Sequence, residues 1–130
     1  MKKIIKTKKA PEAIGPYEQG IVYGGVLYVS GQIPLKLDGA LVQGNIAEEV
    51  KQCLENLKGI CEEAGTDLSQ ALKVSVFLSD MDNFPMMNAV YAEYFKEAKP
   101  ARVCVAVKTL PKNVRVEIDG VFSVYVEKER

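Results

Sequence analysis

A chain of 130 residues with 48% hydrophobic content is long enough for one domain with a proper core and too short for two. Lysine plus arginine balance aspartate plus glutamate at 17 each, which excludes a global field that would gather nucleic acid or an anionic membrane. Histidine is absent, and Cys53, Cys61 and Cys104 form no close pair at metal-ligand spacing. No metal site is therefore expected, and any catalysis must run on carboxylate, tyrosine, cysteine, arginine or backbone groups.

The N-terminus offers only Ile4-Ile5 between lysines, too little for a secretory leader, and no stretch approaches membrane-spanning length. With an odd number of thiols pointing to a reducing compartment, the expected location is the cytoplasm. Ile4 to Thr7 reads as a short strand, and the five lysines in the first nine residues read as charge guarding a sheet edge. Ala10 to Gln19, with two prolines and a glycine, is a loop. Val22-Tyr23 and Val26 to Ser30 flank Gly24-Gly25 and predict a tight hairpin. Ser30-Gly31-Gln32-Ile33-Pro34 ends that strand, and Lys36 to Gly44 is an exposed excursion turning at Asp38-Gly39.

From Ile46 the period becomes helical through Val50, Cys53, Leu54, Leu57, Ile60, Cys61 and Ala64. Asn45 is the expected cap, Glu48 occupies the capping-box position, and Gly65 is the expected stop. Cys53 and Cys61 belong to the buried stripe and read as inert core thiols. Lys73 to Leu78 alternates as a strand with Val74, Val76 and Leu78 inward. A second helix starts near Asp82 or Asn83, tolerates Pro85 in its first turn, carries Met87, Val90, Tyr91 and Tyr94 on one stripe, and ends before Lys99-Pro100.

Two alternating runs close the chain. In Ala101 to Val107, the residues Val103, Val105 and Val107 share one face and leave Arg102 and Cys104 on the other. In Val114 to Asp119, the residues Val114, Val116 and Ile118 oppose Arg115, Glu117 and Asp119. The short connection from Lys108 to Asn113 predicts that the runs form an antiparallel hairpin. Burying both valine faces together then gathers Arg102, Cys104 and Glu117 on one surface.

These elements predict an α+β fold: a six-stranded, mostly antiparallel sheet with two helices on one face. The other face, left open, favours an oligomer whose sheets pack together with sites at the seams. Arg102 is suited to anchor a carboxylate through its planar fork, and Glu117 to orient a water. A cross-strand ion pair between the two is the competing reading. Cys104 lacks a histidine to activate it and reads as pocket wall. Tyr17, in its Gly15-Pro16-Tyr17 turn, and Ser30-Gly31 could present polar groups at a cleft. No phosphate-binding glycine loop or metal cluster is present, so neither a nucleotide cofactor nor a metal is expected.

Together, Gly15-Pro16-Tyr17-Glu18-Gln19, Val29-Ser30-Gly31-Gln32-Ile33-Pro34, Leu54-Glu55-Asn56-Leu57, Val76-Phe77-Leu78, Asn88-Ala89-Val90-Tyr91, Pro100-Ala101-Arg102 and Val116-Glu117-Ile118 resemble the RidA/YjgF family of enamine and imine deaminases. The match covers nearly the whole chain. The resemblance implies a homotrimer of chorismate-mutase-like subunits, with the sheets forming a central barrel and clefts between neighbours. It implies hydrolysis of 2-imino acids, such as 2-iminopropanoate and 2-iminobutanoate, to 2-keto acids and ammonia, with no cofactor.

By the same resemblance Arg102 clamps the substrate carboxylate and Glu117 places the attacking water, while Tyr17, Ser30, Gly31, Asn88 and Cys104 line the cleft. The expected partners are a small imino or keto acid and further copies of the chain, not nucleic acid or membrane. Val103 and Gly120 depart from the usual residues of that family, a difference that bears on substrate preference. Two other functions stay open: an endoribonuclease or translation inhibitor, and a non-enzymatic trimeric binder of small carboxylates.

Overall fold

The hydrophobic stripe from Ile46 onward forms α1 (Ile46–Glu63), in the computed structural model, which describes residues 1–124. Asn45 caps it by accepting from the Glu48 N–H at 3.1 Å. The reciprocal contact differs from the expected capping box: Glu49, not Glu48, accepts from the Asn45 N–H, at 3.1 Å. Glu49 is buried and also takes two hydrogen bonds from Arg115, tying the start of α1 to the chain just before the last strand. Val50, Cys53, Leu54, Leu57, Ile60 and Cys61 are fully buried, as their spacing predicts. Burial pushes both thiols up, consistent with inert core positions.

Six strands form one sheet: β1 (Lys3–Ile5), β2 (Gly20–Tyr23), β3 (Val26–Gln32), β4 (Ala71–Leu78), β5 (Ala101–Ala106) and β6 (Val116–Ser123), in the order β1-β2-β3-β6-β4-β5. Gly24 and Gly25 both take positive φ, +60° and +79°, and make the predicted β2–β3 hairpin. The lysine-flanked β1 lies at a sheet edge. The second helix, α2 (Phe84–Tyr94), lies beside α1 over one sheet face. Between that face and the helices, Leu27, Val74, Val76, Leu78, Val116, Ile118 and Phe122 are completely buried. Each such aliphatic side chain contributes about 1.5–3 kcal/mol on removal from water.

The C-terminal hairpin is not formed. Strand β5 pairs parallel to β4, with Val74 opposite Arg102 and Val76 opposite Cys104, while β6 pairs antiparallel to the other side of β4. The physical reason is the crossover: β4, α2 and β5 form a β-α-β unit, and a helix between two strands carries the chain back to a parallel start. After β5 the chain passes a turn at Pro111–Asn113, where Lys112 and Asn113 both take φ of +56°, and enters the sheet on the far side of β4.

The two valine faces therefore do not share a side. Val116 and Ile118 are buried under the helices and Val114 is buried as well, but Val103 and Val105 are 41% and 38% exposed on the open face. Ile4 and Tyr28, each 49% exposed, continue that uncovered apolar surface across the sheet.

Candidate active site

Arg102 stands on edge strand β5, on the helix side of the sheet, and is exposed. Its Nη1 donates to Asn88 Oδ1 of α2 at 2.6 Å. The guanidinium carbon lies 4.7 Å from the centre of the Tyr91 ring and 5.6 Å from that of Phe84. Cys104, two residues along the same face, is half-buried. Burial pushes its thiol up, with Arg102 opposing, so it stays protonated near neutral pH and suits a wall rather than a nucleophile.

The carboxylate sits elsewhere. Glu117 lies on β6 opposite Phe77, on the open face, beside a bulge in β3. There Val29 pairs with Gly120 and Gln32 with Ile118, so Ser30 and Gly31 together face the single residue Asp119. Gly31 leaves room for the carboxylate in its present position: a Cβ there would sit 2.1 Å from Glu117 Oε2. Burial, and secondarily the charge of Asp119, raise the Glu117 carboxyl above the usual range. Asp119 is raised by burial too, against hydrogen bonds from Ser75.

Ser30 fastens the preceding loop, its hydroxyl donating to Glu18 O at 2.5 Å and its N–H to Gln19 O at 3.0 Å. The buried Gln19 amide extends the fastening by donating to the carbonyls of Thr7, Ala10 and Pro11. Tyr17, 46% exposed, closes a tight turn and lines a cleft of about 40 Å³ with Pro11, Ile14, Gly31 and Gln32. Such a cleft admits a few waters but no amino-acid-sized ligand. A larger concavity of about 640 Å³ between α1 and α2, lined by Lys51, Lys58 and Tyr94, contains none of these residues.

The expected site is thus divided. Tyr17, Ser30, Gly31 and Glu117 gather around the β3 bulge, while Asn88, Arg102 and Cys104 gather under α2 at the opposite edge. Arg102 and Glu117 do not share a surface, as the hairpin reading expected. The registers put them two strands and three residues apart, on the order of 14 Å between Cα atoms, facing opposite sides. A cross-strand ion pair between them is excluded within one chain. Sequence reasoning missed Phe84 and the ring of Tyr91 at Arg102; their spacing with Asn88 at positions 84, 88 and 91 is the signal that could have found them.

The Gly31 contact yields a direct expectation for any reaction that uses Glu117. Gly31→Ala displaces the mobile end of that side chain rather than backbone, so the melting temperature stays within about 3 °C of native. A misplacement of about 1 Å costs roughly a hundredfold in turnover. Unchanged turnover in the alanine variant would show that the carboxyl position is immaterial.

Comparison with known proteins places these residues in context. Residues 7–124 match the family model described as endoribonuclease L-PSP. A RutC family protein of Pyrococcus horikoshii is 50% identical over 93% of this chain and 97% of its own length. The human 2-iminobutanoate/2-iminopropanoate deaminase is 43% identical over 93% of this chain and 89% of its own. Among solved structures, E. coli TdcF with bound serine superposes with a TM-score of 0.88 at 38% identity, covering 93% of this chain and 98% of that one.

Proposed function

The chain belongs to the endoribonuclease L-PSP family, the RidA/YjgF proteins, and on that premise we propose that it hydrolyses small 2-imino acids to 2-keto acids and ammonia, at sites shared between copies in a homotrimer. The deaminase activity in the name of the human relative supports the reaction. The serine in TdcF supports a ligand of amino-acid size.

The single observation that carries the reading is the division of the site. A held, exposed guanidinium stands on an edge strand, and a half-buried carboxyl of raised pKa stands on an uncovered apolar face. Each is half of what a 2-imino acid requires. Packing the open face of one copy against the edge of the next covers the exposed valines and brings Arg102 of one copy toward Glu117 of its neighbour.

In the assembled cleft, Arg102 holds the substrate carboxylate by two parallel hydrogen bonds. Glu117 orients a water and takes its proton as the oxygen bonds to C2, while the C=N π pair moves to nitrogen. The proton then passes to that nitrogen, the C–N bond breaks with its electron pair going to nitrogen, and the carbonyl forms as Glu117 takes the remaining hydroxyl proton, which departs with ammonia as ammonium. The reaction consumes one water and needs no redox partner. A protonated imine is already electrophilic, so orientation and one placed carboxylate suffice. Formal charge balance and the lack of histidine weigh against RNA cleavage.

The test is a coupled assay in which a dehydratase supplies 2-iminobutanoate. Purified protein, trimeric by sedimentation, accelerates keto-acid release in proportion to its concentration. A trimer that binds 2-oxobutanoate without accelerating release would instead be a carboxylate binder, and a stable monomer would overturn the shared site.

A further inference from the structure

Among the described residues, Arg102 is fastened by neutral groups. Its contacts are an amide oxygen, from Asn88, and the rings of Tyr91 and Phe84, while none of the ion pairs among the described residues includes it. An exposed arginine ordinarily keeps its rotamer freedom or meets a carboxylate that cancels its charge. Here three neutral contacts from one stripe of α2 limit that freedom and leave the positive charge without an ion-pair partner among the described residues. Tyr91 is the central one: only 7% exposed, packed against Phe95 with ring centres 4.6 Å apart and planes tilted by 40°, and the nearer of the two rings to the guanidinium.

We infer that Tyr91, assisted by Phe84, is a positioning residue whose ring face holds the Arg102 guanidinium ready for an incoming carboxylate, and that its hydroxyl has no part in this. The hydroxyl is the one buried side-chain polar atom without a hydrogen-bond partner among the described residues. An unpaired buried hydroxyl lowers stability, so nothing among the described residues favours tyrosine here over phenylalanine on hydrogen-bonding grounds. A ring face attracts the guanidinium without neutralising it, which a carboxylate in the same place would do. The stripe therefore tunes affinity for the anionic end of the substrate and leaves the chemistry at C2 to Glu117.

This inference rests on the deaminase reading for its kinetic consequence but not for its geometric one, and the experiment separates them. In the full-length protein, the Arg102 side-chain Nε–H resonance is assigned by its loss in Arg102→Lys. It shifts in Tyr91→Leu, which removes the ring current, and stays near its native position in Tyr91→Phe. On 2-iminobutanoate, Tyr91→Leu raises KM about tenfold with kcat held within about threefold, Phe84→Leu raises KM by a smaller factor, and Tyr91→Phe restores KM. Asn88→Asp, which sets a carboxylate against the guanidinium, raises KM beyond any of these.

A resonance indifferent to Tyr91→Leu overturns the inference, and so does an equal rise of KM in Tyr91→Phe. If Tyr91→Leu does not fold, Phe84→Leu and Asn88→Asp decide it by the same readings. Absence of imine turnover in the native protein overturns the deaminase reading instead, and the resonance still decides the positioning.

Discussion

On the proposed deaminase reading, Arg102→Ala is expected to lower kcat/KM for 2-iminobutanoate about a thousandfold and to leave the proposed trimer intact. The magnitude follows from what is removed: two charge-assisted hydrogen bonds at about 2 kcal/mol each amount to about 4 kcal/mol. At about 1.36 kcal/mol per decade, that is close to three decades. The fold does not depend on this side chain. Arg102 is exposed and makes no ion pair among the described residues, so truncation costs two cation–π contacts and one hydrogen bond, about 2 kcal/mol, and the melting temperature falls by about 10 °C or less. Coupled turnover and thermal unfolding on the same preparation check both halves. Activity within tenfold of native would mean that the substrate carboxylate is held elsewhere.

Glu117→Gln has the opposite profile, acting on kcat and on its pH dependence. An isosteric amide can still accept from water but cannot take its proton, and general acid–base work of this kind contributes about 10²–10⁴ in rate. On the proposed reading, the native protein is expected to lose turnover on its acid side as Glu117 protonates, at a pH above the usual carboxylate range because burial and then Asp119 disfavour its charge. That acid limb disappears in the glutamine variant.

The stability consequence has a definite sign. A carboxyl whose folded pKa is raised destabilises the fold at pH above that pKa, and the cost is relieved as pH falls through it toward the unfolded value. At neutral pH Glu117→Gln is therefore at least as stable as native while being far slower. A variant both slower and less stable would assign Glu117 to the fold rather than to the reaction.

Which parts of this were legible beforehand follows from what each signal is made of. The α1 stripe, its Asn45 cap and the Gly24-Gly25 turn depend on neighbours a few residues apart, and all three stand as read. The placement of β5 does not depend on neighbours. A six-residue connection rich in turn formers favours a hairpin locally, yet the helix between β4 and β5 dictates a parallel crossover, and the crossover wins.

Alternation in Val103, Val105 and Val107 shows that one face is apolar, not which side of the sheet it takes. That single ambiguity moved Arg102 and Glu117 to the same surface when they belong to opposite ones. The candidate residues can be named from the sequence because the motifs that carry them are local. Their division between two surfaces cannot be read there, because it depends on which strand lies between β5 and β6.

That division makes each chain of the proposed trimer serve two sites, lending a cation to one and a carboxylate to another. Arg102→Ala and Glu117→Gln proteins, each nearly inert alone, should then rescue one another when unfolded together and reassembled. At equal amounts, roughly one site in four would receive its cation from one variant and its carboxylate from the other, and mixtures would recover about a quarter of native activity. Such rescue would make the defective copies recessive to each other and the seam between two chains the working unit.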